Sequence, residues 1–446
     1  MFKDKAYHHI WNISYPIILG GVAQTIINVT DSAFLGRVSE VALGASAIAG
    51  LLYVTFMMLG YGFGVGVQII IARLNGEKKY HEMGKVLDHS LYFLLSLSLI
   101  LFVFIYWGGP FILQYFVKSQ GILAASISFI QIRSFAIFFS SLVFVIRGFF
   151  TGIAQTKIVL YTTLIVAVLN IIFNYLFVFG NLGFPRMEVA GSALASTLAE
   201  FFAAIYALVY TFKTVDLKKY QLFTFHRFNF AYLRDVLITA APVMLQMFIS
   251  LTSWFIFFMI VEQMGERSLA ISNIIRNAYM ILMIPLMGFS SATNTIISTL
   301  IGEGKENQVF GMIKKICRFS FMITLVYMLL LNLMPHLMLG IFTNDTALIE
   351  ATIPSLHVID GSLLMFSVSS ILLSAVSGSG NTAMSLLIEV VTITFYLFAT
   401  YLIAVYYQLA IEWVWSVEYV YFLFMGGVSV IYLRYAKKHG FKHIDR

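Results

Sequence analysis

Twelve apolar stretches of about 20 residues or more follow one another along this chain, and no water-soluble fold can bury them all. A bilayer-spanning helix needs roughly 20 mostly apolar residues. Segments of that kind fit at 13–36, 44–71, 88–109, 123–147, 158–180, 189–212, 236–261, 268–299, 318–336, 353–377, 384–407 and 415–434. Their length, and the lack of ten-residue alternating segments, reads as helices rather than barrel strands. Composition agrees, with 60% of the 446 residues hydrophobic and 11% charged, against about 45–50% and about 25% in soluble chains. The expected fold is an all-α polytopic membrane protein. Met1–His9 is short and polar, and no cleavage site follows a short apolar core, so the first segment is expected to be retained as a span.

The formal net charge of +7 does not read as a nucleic-acid surface, because the basic residues are sorted by loop. Of 28 Lys and Arg, 22 lie in the two tails or the even-numbered connections, including Lys3, Lys5, Lys78, Lys79, Arg147, Lys218, Lys219, Lys314, Lys315, Lys442 and Arg446. Only Arg37, Lys118, Arg186 and Arg267 fall on the other side, while Arg133 and Arg276 sit inside spans. The positive-inside rule then places both termini in the cytoplasm of a multi-pass cell-membrane protein, the bacterial inner membrane being the expected site. Cys317 is the only cysteine and cannot form an intramolecular disulfide; it reads as a packing residue.

An internal repeat divides the chain. At an offset of 226 residues Pro16 maps onto Pro242, Gly76–Glu77 onto Gly302–Glu303, and Gly152, Ala154, Gln155 and Thr156 onto Gly378, Gly380, Asn381 and Thr382. The expected organisation is an N-lobe at 1–212, a cytoplasmic linker at 213–235 and a C-lobe at 236–446, each lobe a six-helix bundle. Six is even, so the lobes share an orientation and are related by an axis along the membrane normal. Two such bundles can rock around a cleft, the basis of alternating access. Gly60, Gly62, Gly64 and Gly66 alternate along the second span and predict close packing on two faces, or local bending.

Polar residues inside these spans mark the candidate site. Asp31 is the only acid of the first span, and intramembrane carboxylates normally serve a cavity, a pathway or a partner. It reads as a group that alternates between protonated and ionised forms or binds a cation, or else as an acid at the outer interface. Asn170 and Asn174 stack at i and i+4 on the fifth span, and their amides can donate to Asp31 or coordinate a cation. Ser196, Thr197 and Glu200 on the sixth span, with Gln24 and Asn28 on the first, complete the N-lobe set. The C-lobe has Phe257 in place of Asp31; its candidate acids are Asp360 and Glu389, either of which can pair with Arg276. Candidate lining for a substrate cleft is Tyr53, Met57, Tyr61, Phe139, Met259, Asn273, Arg276, Met280 and Asp360, since aromatic faces attract cations and methionine adapts to irregular shapes. The sequence shows no Walker loop, Rossmann glycine run or HExxH site, and His8–His9, His439 and His443 lie in the tails. Neither an enzyme nor an ATP-driven pump is expected, and an ion gradient is the natural energy source.

Several motifs in order resemble those of one family. Pro16 with Val29-Thr30-Asp31-Ser32-Ala33-Phe34-Leu35-Gly36-Arg37 is similar to the P…VDxxxxGR signature of the multidrug and toxic compound extrusion (MATE) family. Arg147-Gly148-Phe149-Phe150-Thr151-Gly152-Ile153-Ala154-Gln155-Thr156 resembles its RGxxxGxGxT segment, with Ala154 replacing a glycine. Gly191-Ser192-Ala193-Leu194-Ala195-Ser196 resembles GAAxAT, and Gly378-Ser379-Gly380-Asn381-Thr382 resembles RGxGxT, with Ser377 in place of arginine. The resemblance implies a V-shaped MATE fold of twelve transmembrane helices in two pseudo-symmetric bundles. It implies export of small cationic amphipathic compounds in exchange for H⁺ or Na⁺, and needs no cofactor. By match with archaeal-type members, Asp31, Asn170 and Ser196 belong to a cation site. Asn174 replaces an aspartate, which leaves a weak Na⁺ site at Asp31, Asn170, Asn174 and Ser196 and favours H⁺. The matches to the C-lobe acids of the drug/Na⁺ members are Ser250 and Phe366, neither acidic. Two other readings remain: a flippase for lipids or lipid-linked sugars, which needs a basic cleft, and a non-transporting membrane scaffold. No obligate protein partner is evident, and a monomer is expected.

Overall fold

The computed structural model describes residues 5–343 and 345–441; Lys3, Lys442, His443 and Arg446 lie outside them. The described residues form long helices: α1 Lys5–Gly36, α2 Glu40–Gly76, α3 Tyr80–Phe116, α4 Gln120–Ser134, α5 Ala136–Gly152, α6 Lys157–Phe177, α7 Glu188–Thr214, α8 Phe230–Glu262, α9 Glu266–Gly302, α10 Glu306–Leu333, α11 Thr346–Gly378, α12 Thr382–Tyr406 and α13 Ile411–His439. Among the described residues, ten are long and apolar enough to cross a membrane, and an eleventh span forms if α4 and α5 are one segment bent by 45°. The remaining expected span, 318–336, falls on α10 and the residues after it, and the side chains of 330–331 lie outside those described.

Local chemistry sets the helix ends. Asp345 accepts from the amides of Ala347 and Leu348 at the start of α11, and Asn381 accepts from Met384 N at the start of α12. These side chains satisfy amides that have no partner inside the helix. The α4–α5 bend falls at Phe135, just after Ser134, whose hydroxyl donates to Gln131 O (2.7 Å) and competes with the helix backbone. Arg147 was expected in a turn but lies within α5.

The chain divides into two compact units, Leu19–Met244 (the N-terminal unit) and Met1–Ile18 with Leu245–Arg446 (the C-terminal unit). Both boundaries fall inside a helix, two residues after Pro16 in α1 and two after Pro242 in α8. A proline inside a helix removes one backbone donor and clashes with the preceding turn, so the helix is weakest there.

The 226-residue repeat reappears as equivalent close contacts, each within one unit. A Cβ on Gly152 would lie 2.9 Å from Gln68 O, and one on Gly378 would lie 3.0 Å from Asn294 O. A Cβ on Gly62 would press on the Met244 backbone, and one on Gly288 on Ile18. Each of these four pairings is related to its twin by the same offset. Along α2, Gly62 and Gly66 face α8 while Gly60 and Gly64 face Phe144 of α5, so the alternating glycines serve two close contacts. The tight turns repeat too: Lys78 and Ala154 take the left-handed conformation at φ 59° and 61°, where the second copy has Gly304 and Gly380.

Candidate functional site

In the N-terminal unit Asp31 anchors a ladder of hydrogen bonds across three helices. Asn174 Nδ2 donates to Asp31 Oδ1 (2.6 Å) and also to Asn170 Oδ1 (3.0 Å), and Asn170 Nδ2 donates to Ser196 Oγ (2.9 Å). The i, i+4 spacing on α6 stacks the two amides, and Asn170 and Asn174 are fully buried. Their burial is compatible with their polarity because each amide nitrogen donates to a ladder oxygen. One acceptor, Asn174 Oδ1, is buried with no partner.

The other expected N-lobe residues sit apart from the ladder. Gln24 and Asn28 are exposed on α1 and bond each other at 3.4 Å. The Thr197 hydroxyl donates to Ala193 O (2.8 Å) and Ile132 O (3.4 Å), tying α7 to α4.

Beside the ladder is a partly buried ion pair. Arg133, at the end of α4, donates to one oxygen of Glu200, and the Ser140 hydroxyl donates to the other. The Arg133 guanidinium also stacks over the Tyr53 ring, 4.4 Å from its centroid, and is near enough to act electrostatically on Asp31. Tyr53 is therefore buried packing for a cation of the chain itself. Met57 packs with the surrounding core, Tyr61 meets Phe144 edge-on at 5.7 Å, and Phe139 meets Phe201 at 5.1 Å.

The C-terminal unit places its candidates differently. Met259 and Met280 are each 50% exposed, Asn273 donates to Leu269 O, and Arg276 lies 5.1 Å over the Phe258 ring. Asp360 accepts from Asn332 Nδ2 (2.7 Å), and Asn332 Oδ1 contacts His357. Glu389 Oε1 accepts from the hydroxyls of Ser250 and Tyr421, each at 2.5 Å. Neither acid makes the possible pair with Arg276: each has neutral donors on one oxygen and none on the other. Phe257, standing where the N-terminal unit has Asp31, is fully buried and stacks on Tyr396, the counterpart of Asn170. Aromatic packing thus replaces the ladder in the second copy.

Sequence reading missed Glu418. It lies near the start of the last span, where an acid passes for an interfacial group. It is in fact buried, with the hydroxyls of Tyr279 (3.3 Å) and Tyr396 (3.2 Å) donating to it. Arg147 was also missed as a half-buried cation; it donates to Thr162 and Thr163 (2.7 Å each). Among the described residues, no three His, Cys, Asp or Glu side chains gather as a metal site.

The helical architecture and the repeat define a polytopic transporter-like class, and comparison with known proteins places the chain within it. The MatE family model matches residues 16–176 and again 242–403, its second match starting 226 residues after the first. A probable multidrug resistance protein NorM of Agrobacterium fabrum is 27% identical over 299 residues, 66% of this chain and 63% of that protein. The chain thus spans less than two thirds of the length of the first curated relatives it matches. An outward-facing multidrug resistance MATE family transporter of the MOP superfamily superposes with a TM-score of 0.90 at 19% identity, covering 98% of this chain and 96% of the other. A MOP superfamily transporter from Pyrococcus furiosus gives 0.86 at 18% identity over 98% and 96%. At these identities the structures show a shared fold. The chain belongs to the MatE family of membrane transporters.

Proposed function

We propose that this protein is a secondary active exporter of cationic amphipathic compounds, driven by exchange for H⁺ through alternating access, with Asp31 as the coupling carboxylate. The carrying observation is the ladder Asp31–Asn174–Asn170–Ser196, which gives one half-buried carboxylate a hydrogen-bonded seat on buried amides. A group held this way can release its proton to one side and be neutralised again from the other, while a cationic substrate competes for the same charge. Multidrug-resistance relatives and MATE-family structural neighbours support the same reading. The 226-residue repeat supports twelve spans in two six-helix lobes, and the loop distribution of Lys and Arg supports cytoplasmic termini.

The donor set favours H⁺ over Na⁺. Asn170 Oδ1 and Ser196 Oγ already accept N–H donors, and Asn174 Oδ1 is the only ladder amide oxygen without one. Hard cations take about six oxygen ligands, more than the ladder offers. A lipid-phosphate flippase would need several free basic groups; Arg133 is already neutralised by Glu200, and Arg276 stacks on Phe258.

In proteoliposomes with an imposed proton gradient, Asp31→Asn is expected to reduce uptake-coupled dye export to background while expression and thermal stability hold. Undiminished gradient-driven export by that variant would exclude Asp31 as the coupling group.

A further inference from the structure

The C-terminal unit buries two carboxyls that the Asp31 mechanism does not use. Glu389 on α12 is 2% exposed and Glu418 on α13 is 3% exposed. One stripe of α8, at i, i+4 and i+8, serves both. Ser250 donates to Glu389 and Gln246 also faces it, while Trp254 faces Glu418. Two tyrosines join the acids: Tyr421 donates to Glu389, Tyr396 donates to Glu418, and their rings meet edge-on at 5.4 Å. Tyr279 on α9 closes the cluster on Glu418.

The charged and titratable neighbours can be named from every packed helix. Besides these tyrosines, α11 brings Asp360, held by Asn332 and close to Tyr419, and α9 brings Arg276, which stacks on Phe258. No Lys, Arg or His acts on either Glu389 or Glu418 among the described residues. A carboxylate buried without a cation loses its hydration, and only hydrogen-bond donors are left to replace it. Acceptor counting separates them. Both oxygens of Glu418 take a tyrosine donor, as suits an ionised group, whereas Glu389 Oε2 is buried with no partner.

The repeat sharpens the contrast. Gly20 and Thr163 are neighbours in the N-terminal unit, a Cβ on Gly20 lying 3.6 Å from Thr163 Oγ1. Their counterparts at the 226-residue offset are Gln246 and Glu389. Where one unit has Arg147 donating to Thr163, the other has a carboxyl with no balancing cation.

We propose that Glu389 and Glu418, linked through Tyr421 and Tyr396, form a second proton-holding site in the C-terminal unit, with one exchangeable proton on Glu389 Oε2. The site is independent of Asp31 and takes a proton rather than a metal ion.

Infrared difference spectroscopy on the full chain in lipid vesicles, in an Asp31→Asn background, tests this without relying on transport. The expected spectrum shows a protonated-carboxyl C=O band that downshifts in D₂O and titrates away as pH rises. Glu389→Gln should remove it, and Glu418→Gln should leave it. Tyr421→Phe, which keeps the ring and loses one hydrogen bond, should move its frequency and keep its intensity, even if Glu389→Gln fails to fold. The proposal is overturned by the absence of such a band, by its survival in Glu389→Gln, or by its loss at fixed pH on adding Na⁺. None of these outcomes depends on Asp31 being the coupling group.

Discussion

A guanidinium inside a membrane protein needs its charge balanced at contact distance, and Arg133 shows how this chain does it. Glu200 pairs with it, Ser140 holds the second carboxylate oxygen, and Tyr53 covers its face. Removing one partner of a buried pair strands the other charge, at a cost of about 3–5 kcal/mol, whereas replacing both by apolar groups is often neutral. Glu200→Gln is therefore expected to lower the melting temperature in detergent sharply. The double variant Arg133→Met with Glu200→Met should recover most of that loss. Equal melting of the single variant and the unmodified protein would show that the pair carries no such weight. Asp31 differs in kind, since an amide holds it directly and Arg133 acts on it only at a distance.

Helices in a bilayer gain little from hiding apolar surface from one another, so small residues that allow close approach matter more. Gly62 and Gly288 let α2 and α9 meet the Met244 backbone and Ile18, and a side chain at either place would collide. Gly62→Leu and Gly288→Leu should each destabilise by about 1–3 kcal/mol, the usual range for overpacking. A Cβ on Gly427 would meet nothing within 4 Å, so Gly427→Leu is the matched control and should be near neutral. Thermal melts of the three purified variants decide the matter, and an equal effect at all three positions would refute the role given to the close contacts.

At the scale of the whole molecule, the unit boundaries cross α1 and α8 rather than the 213–235 connection. The N-terminal unit includes 230–244 of α8, and the C-terminal unit includes the first part of α1 up to Ile18. A chain cut after residue 228 therefore leaves each half without a helix segment that its unit contains. Expressed singly, 1–228 and 229–446 should give no monodisperse protein in detergent, while co-expression should restore it. Either half purifying alone as a folded monomer would contradict that expectation.

Helix positions were legible from the chain alone because a bilayer demands long apolar runs, and every expected span except 318–336, which runs past the end of α10, coincides with a helix or with the bent α4–α5 pair. The repeat was legible too, since Pro16 and Pro242 or Gly152 and Gly378 carry it in residue type. The Asn170–Asn174 stack followed from helical spacing, and its bond to Asp31 was foreseen as one thing those amides can do. Only the tertiary structure decided which buried charges meet. Arg133 and Glu200 stand 67 positions apart and Ser250 and Glu389 stand 139 apart, so no local period links them. Hydropathy records that a polar group is costly in the membrane, but the partner that offsets the cost is chosen by packing between distant helices.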